Sequence, residues 1–427
     1  MGRRTLTRAI CFLNLQFQEW SAHYKLFSRS KWEVNDLFKP VIKAAVPRYC
    51  RSHIAVAFDD TALKRTGKKL SAARWLRDAM GPPFRVNLIW GVRFLQASLL
   101  VPLYRQDPSA PPRGLPVRFE QSVPVRKPGA RATDKEKQNW KEKRKKKNLS
   151  THFRAMATGL RASFDDAGYS LMILAAVVDG SYCNAVTFGK SLGERIALLA
   201  RCRKDIRLCF PAPEGGRRVY GEKTFTPEEV AKDKTIPWRK TRIFHGGRFR
   251  KVHYKEVTRV LWQGGGKRRL LRLFVIRPVA YRKTKKDRLY YRQRAYLLCD
   301  DLALPARELL QSYFDRWEIE VNHRDEKDIL GVGQAQVWAE KSHPRQPAFA
   351  VAAYSLLLLA GLLAYGPGRT ADYERLPKWR KKARRPSCLD LVTLLRRQTE
   401  EQRQQKGAED GVESVQGYPT MVKTAAA

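Results

Sequence analysis

The chain has 427 residues, with 84 Lys and Arg against 41 Asp and Glu, a formal net charge of +43. This length can bury a sizeable core in roughly one large or two to three ordinary domains, and 43% hydrophobic residues exclude a merely disordered basic tail. So much positive charge opposes compaction unless a polyanion neutralises it, so nucleic acid leads the candidate partners. An acidic membrane surface comes second, and a conventional small-molecule metabolic enzyme is nearly excluded.

In chain order, residues 1–50 read as a small helical region, amphipathic from Trp32 to Val46. Ile54 to Phe58 (IAVAF) is a short apolar run, expected as a buried strand ending at Asp59 and Asp60. Arg85 to Leu103 reads as two strands, around VNLIWGV and SLLVPLY. Residues 105–133 are rich in Pro and Arg and read as a loop or linker. Asp134 to Asn148 is a basic run leading into a helical pattern from Ser150 to Phe164. Leu171 to Val178 (LMILAAVV) is a second apolar strand and ends at another acid, Asp179. A helix is expected from Asn184 to Leu192, and Ile196 to Cys202 is a further apolar run.

From Lys204 to Cys299 the pattern turns to alternating β segments between Gly and Lys/Arg turns. A long helix is expected from Pro305 to Leu330. Ala348 to Tyr365 follows without a charge, at the lower limit of a membrane span. Being the only such run, it is expected as a helix buried in the core. After Pro377 come a basic cluster (KWRKKARRP), a helix from Leu389 to Arg397 and a polar tail expected to be disordered. The seven cysteines are odd in number and include no C-x-x-C, so neither a disulfide framework nor a zinc ribbon is indicated. The start of the chain lacks the apolar stretch and cleavage site of a signal peptide.

Strands and helices interleave, giving an α/β class with a β-rich insertion before the last long helix. Acids at the ends of buried strands sit on a sheet rim, where ligands bind, although Asp also ends strands simply as a turn former. A third element shifts that balance. Tyr313, Arg316, Glu320 and Lys327 stand at helix offsets 0, 3, 7 and 14. At about 100° per residue they fall within about 60° of one another. One helix face thus carries a carboxylate, two cations and a phenol, more than a simple Arg316–Glu320 pair would need.

The segment YFDRWEIEVNHRDEK fits Y-x2-R-x3-E-x6-K without a gap. It resembles the signature of the DDE transposases of bacterial insertion sequences, whose core is ribonuclease H-like. FDDTALKRTGKK resembles the family's first aspartate block, VVDGSYCN the second, and LGVGQAQVW the continuation after the glutamate. The resemblance covers roughly residues 50–365 and implies a mixed sheet flanked by helices. Its implied divisions are a helical N-terminal region 1–50, a catalytic core 51–203 and 301–370, a β-rich insertion 204–300, and a basic C-terminal region 371–427. It departs from the family before the first strand, where fewer residues stand than the usual DNA-binding region has.

By this resemblance Asp59, Asp179 and Glu320 are the metal-binding catalytic acids, with Asp60 an open alternative to Asp59. Tyr313, Arg316 and Lys327 are implied to contact DNA phosphates, and Trp262 to stack on a flipped base. Two Mg²⁺ or Mn²⁺ ions are implied as cofactors. The implied partners are double-stranded DNA, both terminal inverted repeats and target, and a second copy in a synaptic dimer, with no membrane. The implied location is the bacterial cytoplasm, on the nucleoid. A relative that binds DNA without cutting it is the alternative.

The residues suit this chemistry. In-line phosphodiester cleavage needs charge stabilised on attacking and leaving oxygens, which two cations about 4 Å apart provide. Mg²⁺ takes hard oxygen ligands, and the histidines show no zinc spacing. No P-loop frame surrounds Gly67. Between Arg239 and Arg294 lie 20 Lys and Arg against two acids, Glu256 and Asp287, with aromatics interspersed. That mixture suits strand tracking and base stacking.

Overall fold

The computed structural model describes residues 4–67, 70–78, 87–282, 287–378 and 383–409. Three short helices open the chain: α1 (Leu6–Phe12), α2 (Ser21–Ser28) and α3 (Lys39–Tyr49). Four strands follow: β1 (His53–Lys64), β2 (Arg74–Arg77), β3 (Leu88–Val101) and β4 (Arg113–Ser122). Helices α4 (Asp134–Lys146) and α5 (Leu149–Asp166) lead to β5 (Ile173–Val178), α6 (Ala185–Phe188) and β6 (Ile196–Arg201). Next come β7 (Leu208–Pro211), β8 (Tyr220–Phe225), α7 (Pro227–Lys232), β9 (Arg239–Phe244), β10 (Phe249–Val260) and β11 (Leu271–Ile276). The short β12 (Ala280–Tyr281) and β13 (Tyr290–Tyr291) precede β14 (Ala295–Cys299). Helices α8 (Ala306–Asp315), α9 (Glu318–Arg324), α10 (Ser342–Tyr365) and α11 (Cys388–Glu409) complete the described chain.

Ten strands make one mixed sheet in the order β2-β3-β1-β5-β6-β14-β11-β10-β9, with β4 also paired to β3. β1, β5 and β6 run parallel, and the pairings on either side of them are antiparallel. The block β4-β3-β1-β5-β6, with helices on both faces, is the ribonuclease H-like α/β core expected from the sequence. Residues 204–300 do not all stand apart from it: β14, β11, β10 and β9 extend the same sheet.

Strand alternation sorts the core. On β5, Leu174, Ala176 and Val178 face the cluster that holds Phe153 and Leu160 of α5 and Val41 and Val46 of α3. Ala175 and Val177 face the opposite side, where Leu309 and Leu310 of α8 pack. Each such fully buried aliphatic side chain contributes about 1.5–3 kcal/mol, which is why both faces are covered.

Several expectations change. β1 runs on through Lys64, so Asp59 and Asp60 lie inside a strand, and only β5 stops at its acid. The two strands expected in 85–103 are one, β3. The Pro-rich loop contains β4, whose Pro116 sits at the register shift opposite Ser98, where a missing N–H is tolerated. The helix after Asn184 has only four residues. The C-terminal helix continues to Glu409, past the expected start of the tail; residues 410–427 and part of the basic cluster, 379–382, lie outside the described residues, as do Lys68 and Lys69 of the first aspartate block. α10 is the one helix among the described residues long and apolar enough to cross a membrane. It packs against β4 and α11, burying Val351, Tyr354, Leu358 and Leu362.

Candidate active site

The parallel register of β1 and β5 sets the geometry. Ala57 lies opposite Val177, so two residues on, Asp59 stands level with Asp179. Alternation directs Asp59 to the same side as Ala57, which packs on Ile319 of α9. Asp179 follows the same rule two residues after Val177. Asp60 points the other way with Phe58, whose ring meets Phe153 of α5 at 5.0 Å. There it pairs with Arg93 at 3.3 Å.

The third acid arrives on α9. Arg316 and Trp317 separate α8 from α9 but keep right-handed helical backbone angles. Tyr313, Arg316 and Glu320 therefore stay on one face, and Arg316 Nη2 donates to Glu320 Oε1 at 3.1 Å. Gly114 on β4 lets α9 approach closely: a Cβ there would meet Asn322 Oδ1 at 2.6 Å. Buried Asn322 donates from Nδ2 to the Gly114 carbonyl at 3.0 Å. On the other side Arg385 donates to Glu318 at 2.8 Å, clamping the first turn of α9.

The acids feel one another. Burial pushes the Asp59 carboxyl up to about 7; the Arg316 guanidinium opposes this, and the Asp60 and Asp179 carboxylates add to it. Burial also raises Asp60, against Arg93 and with Asp179. Glu320 is raised by burial and by Asp179, and held down by Arg316 and Arg292. Asp179 is the neighbour common to all three. Its Oδ1 accepts from the Ser181 N–H at 2.9 Å and from Ser181 Oγ at 2.6 Å, which orients the carboxylate.

Not every expected residue joins this group. The helix after α9 widens into a π turn at Asp325–Ile329, which breaks the 3.6-residue period. Lys327 consequently lies among Glu326, Asp78 and Lys64, and burial lowers its pKa. Lys64 is four residues past Asp60, about 13 Å along the strand. Trp262 is buried and packs edge-on against Phe188 at 5.8 Å, so it presents no free ring face. Tyr313 lines a cleft of about 650 Å³ together with Arg201, Arg277, Arg292, Arg316 and Trp317. Arg292 links that cleft to Glu320. It had no signal beyond the general basic run, because its partner lies on a helix distant in sequence.

Among the described residues, no three His, Cys, Asp or Glu side chains form a ready-made metal cage. The donors that do meet are all hard carboxylate oxygens. Their mutual repulsion is of the kind a divalent cation relieves, and Mg²⁺ completes its shell with water and substrate oxygens. The residues therefore fit such an ion through their chemistry.

The model of the DDE superfamily endonucleases matches residues 15–269, more than half of the chain. The chain belongs to this family. Membership makes it a nuclease-type enzyme with DNA as its substrate. No curated protein matches the chain. The matched span of this DDE endonuclease includes Asp59 and Asp179 but stops before Glu320. The case for Glu320 therefore rests on its position beside Asp179.

Proposed function

We propose that this DDE endonuclease is a transposase, which binds transposon-end DNA, cleaves it and joins the freed end to target DNA. What supports this reading is that Asp179 stands within electrostatic reach of both Asp59, level with it across the β1–β5 register, and Glu320 on α9. In the proposed reaction water attacks a phosphodiester in line and frees a 3′-OH, and that hydroxyl then attacks a target phosphodiester. Two bound Mg²⁺ or Mn²⁺ ions would supply Lewis-acid stabilisation of the attacking and leaving oxygens.

The chain's own groups do the rest. Asp59, Asp179 and Glu320 would hold the cations. Ser181 fixes the Asp179 carboxylate and Arg316 fixes Glu320. Arg316 also fronts the cleft, where its fork can grip a phosphate. Arg292 and Tyr313 extend that surface for the strand leading away from the scissile bond. Cleavage and joining of two ends would require a second copy, an expectation that follows from the resemblance.

The test uses full-length protein, Mg²⁺ and a duplex taken from the DNA flanking the coding sequence. Asp179→Asn and Glu320→Gln should each lower cleavage by about 10³-fold or more, corresponding to several kcal/mol of lost transition-state stabilisation. Duplex binding should stay within a few fold. Cleavage at the normal rate by Glu320→Gln would remove that residue from the site. Wild-type protein that binds but never cuts would favour a DNA-binding relative without catalysis.

A further inference from the structure

The least explained element of the fold is α4. A polar helix that buries nothing is normally unstable alone at 13 residues. Yet α4 is firmly built. Thr133 and Glu136 close a reciprocal capping box, Asp134 and Glu136 sit in its first turn, and Lys143, Arg144, Lys145 and Lys146 fill its last. All of its side chains are exposed except half-buried Trp140. That ring is its anchor: the indole Nε1 donates to the Val125 carbonyl at 3.4 Å, and the Arg144 guanidinium lies 5.2 Å from the ring.

α4 is joined to the core through β4 before it and α5 directly after it. β4 leads up to it, and Ser122 pairs with Arg93, which in turn lies opposite Ala62, just past Asp60. Beyond its other end Asn148 caps α5. Ser150 of α5 accepts from Asn184 Nδ2 at 2.9 Å, joining this corner to the turn that begins at Asp179. His152 of α5 pairs with Glu120 of β4 at 2.9 Å, tying together the two elements that flank α4. α4 thus stands between β4 and α5, and the first turn of α5 is bonded to the segment that follows Asp179.

We propose that α4 lies in the major groove of the duplex being cut, with its cations on phosphates and its outward face on base edges. The inference deepens the DNA-cutting reading above and depends on it. At about 100° per residue, Gln138 and Glu142 lie about 160° round the helix from the Trp140 anchor, flanked by Lys135, Lys145 and Lys146. Gln138 can pair with adenine N6 and N7, and Glu142 can accept from cytosine N4. Seven Lys and Arg against three acids give the helix the charge that a phosphate-lined groove needs. Its length, about 20 Å, fits a groove about 12 Å wide. An apolar face for a bilayer is absent from it, since Trp140 is its only aromatic or aliphatic side chain.

The experiment measures binding of the full chain to a random-sequence 30-bp duplex across a salt series. It also selects preferred duplexes from a random library. Because α4 buries so little, its variants should melt with the wild type. Lys143→Ala, Arg144→Ala, Lys145→Ala and Lys146→Ala combined should reduce the slope of log affinity against log salt by about 2–4, and weaken binding about 10–100-fold at moderate salt. Gln138→Ala with Glu142→Ala should keep affinity for random duplex within about threefold but erase base preference at adjacent positions of the selected site. Unchanged affinity and slope in the quadruple variant would overturn the proposal and leave α4 to an acidic protein partner. Identical selected sequences from the double variant and wild type would overturn base reading. Failure of the wild type to bind any duplex would instead overturn the DNA-cutting reading itself.

Discussion

Asp59 and Asp60 are neighbours on β1 with the same side chain, but the pleat sends them to opposite faces of the sheet. Asp59 faces Arg316 and Asp179, while Asp60 is tied to Arg93. Asp59→Asn should therefore lower Mg²⁺-dependent cleavage by about 10³-fold and Asp60→Asn by no more than about tenfold. Equal losses in a single-turnover assay would show that the face does not decide. A different carboxyl answers to pH. Glu326 is buried within the π turn, accepts from Gln96 Nε2 at 2.9 Å, and is pushed up to about 8 by burial. Its folded state holds a proton that the unfolded state releases near 4.5. The stability linked to it is thus full below about pH 4.5, declines as pH rises, and is gone above about 8, a change on the order of a few kcal/mol. Thermal melts between pH 5 and 9 should show this decline in the wild type and a flatter profile in Glu326→Gln.

At the scale of elements, the placement of Glu320 depends on how closely α9 approaches β4. Gly114 sits under Asn322 and the Glu318 carbonyl, leaving no space for a side chain. Gly114→Val should push α9 outward at a cost of about 1–3 kcal/mol. Cleavage should fall at least about tenfold through displacement of Glu320, with duplex binding little changed; a melt together with a cleavage assay reads both. The sequence pattern announced this helix and the common face of Tyr313, Arg316 and Glu320. It could not announce the π turn, within which Lys327 lies. Strand ends were similarly hidden. β1 continues past its apolar run because β3 pairs with it as far as Lys64, a partner no local pattern reveals.

Over the whole molecule the formal net charge is +43, while Asp59, Asp179 and Glu320 are half-buried. Association with duplex DNA should be strongly salt-dependent. If about 6–10 phosphates are neutralised, affinity should fall about 10³–10⁵-fold between 50 and 200 mM salt. A shallow salt response in a filter-binding or fluorescence titration would contradict the assignment of the basic surface. Relief of self-repulsion also predicts that heparin, a polyanion with no bases, raises the melting temperature at low salt.

By itself, the sequence determined the interleaved α/β class and pointed to a polyanion partner, through composition and apolar runs, which are local properties. Its resemblance to the DDE transposases singled out Asp59, Asp179 and Glu320 as candidate acids. Tertiary structure decided the rest. The β1–β5 register brought Asp59 level with Asp179, and the pairing of β1 with β3 set Asp60 beside Arg93. Sheet pairing drew β9, β10, β11 and β14 into the core sheet and buried Trp262 against Phe188. The turn before α9 placed Arg316 at one cleft with Arg292, whose charge reaches Glu320. These outcomes depend on which distant segments pair, and that is settled by burial and hydrogen bonding over the whole sheet.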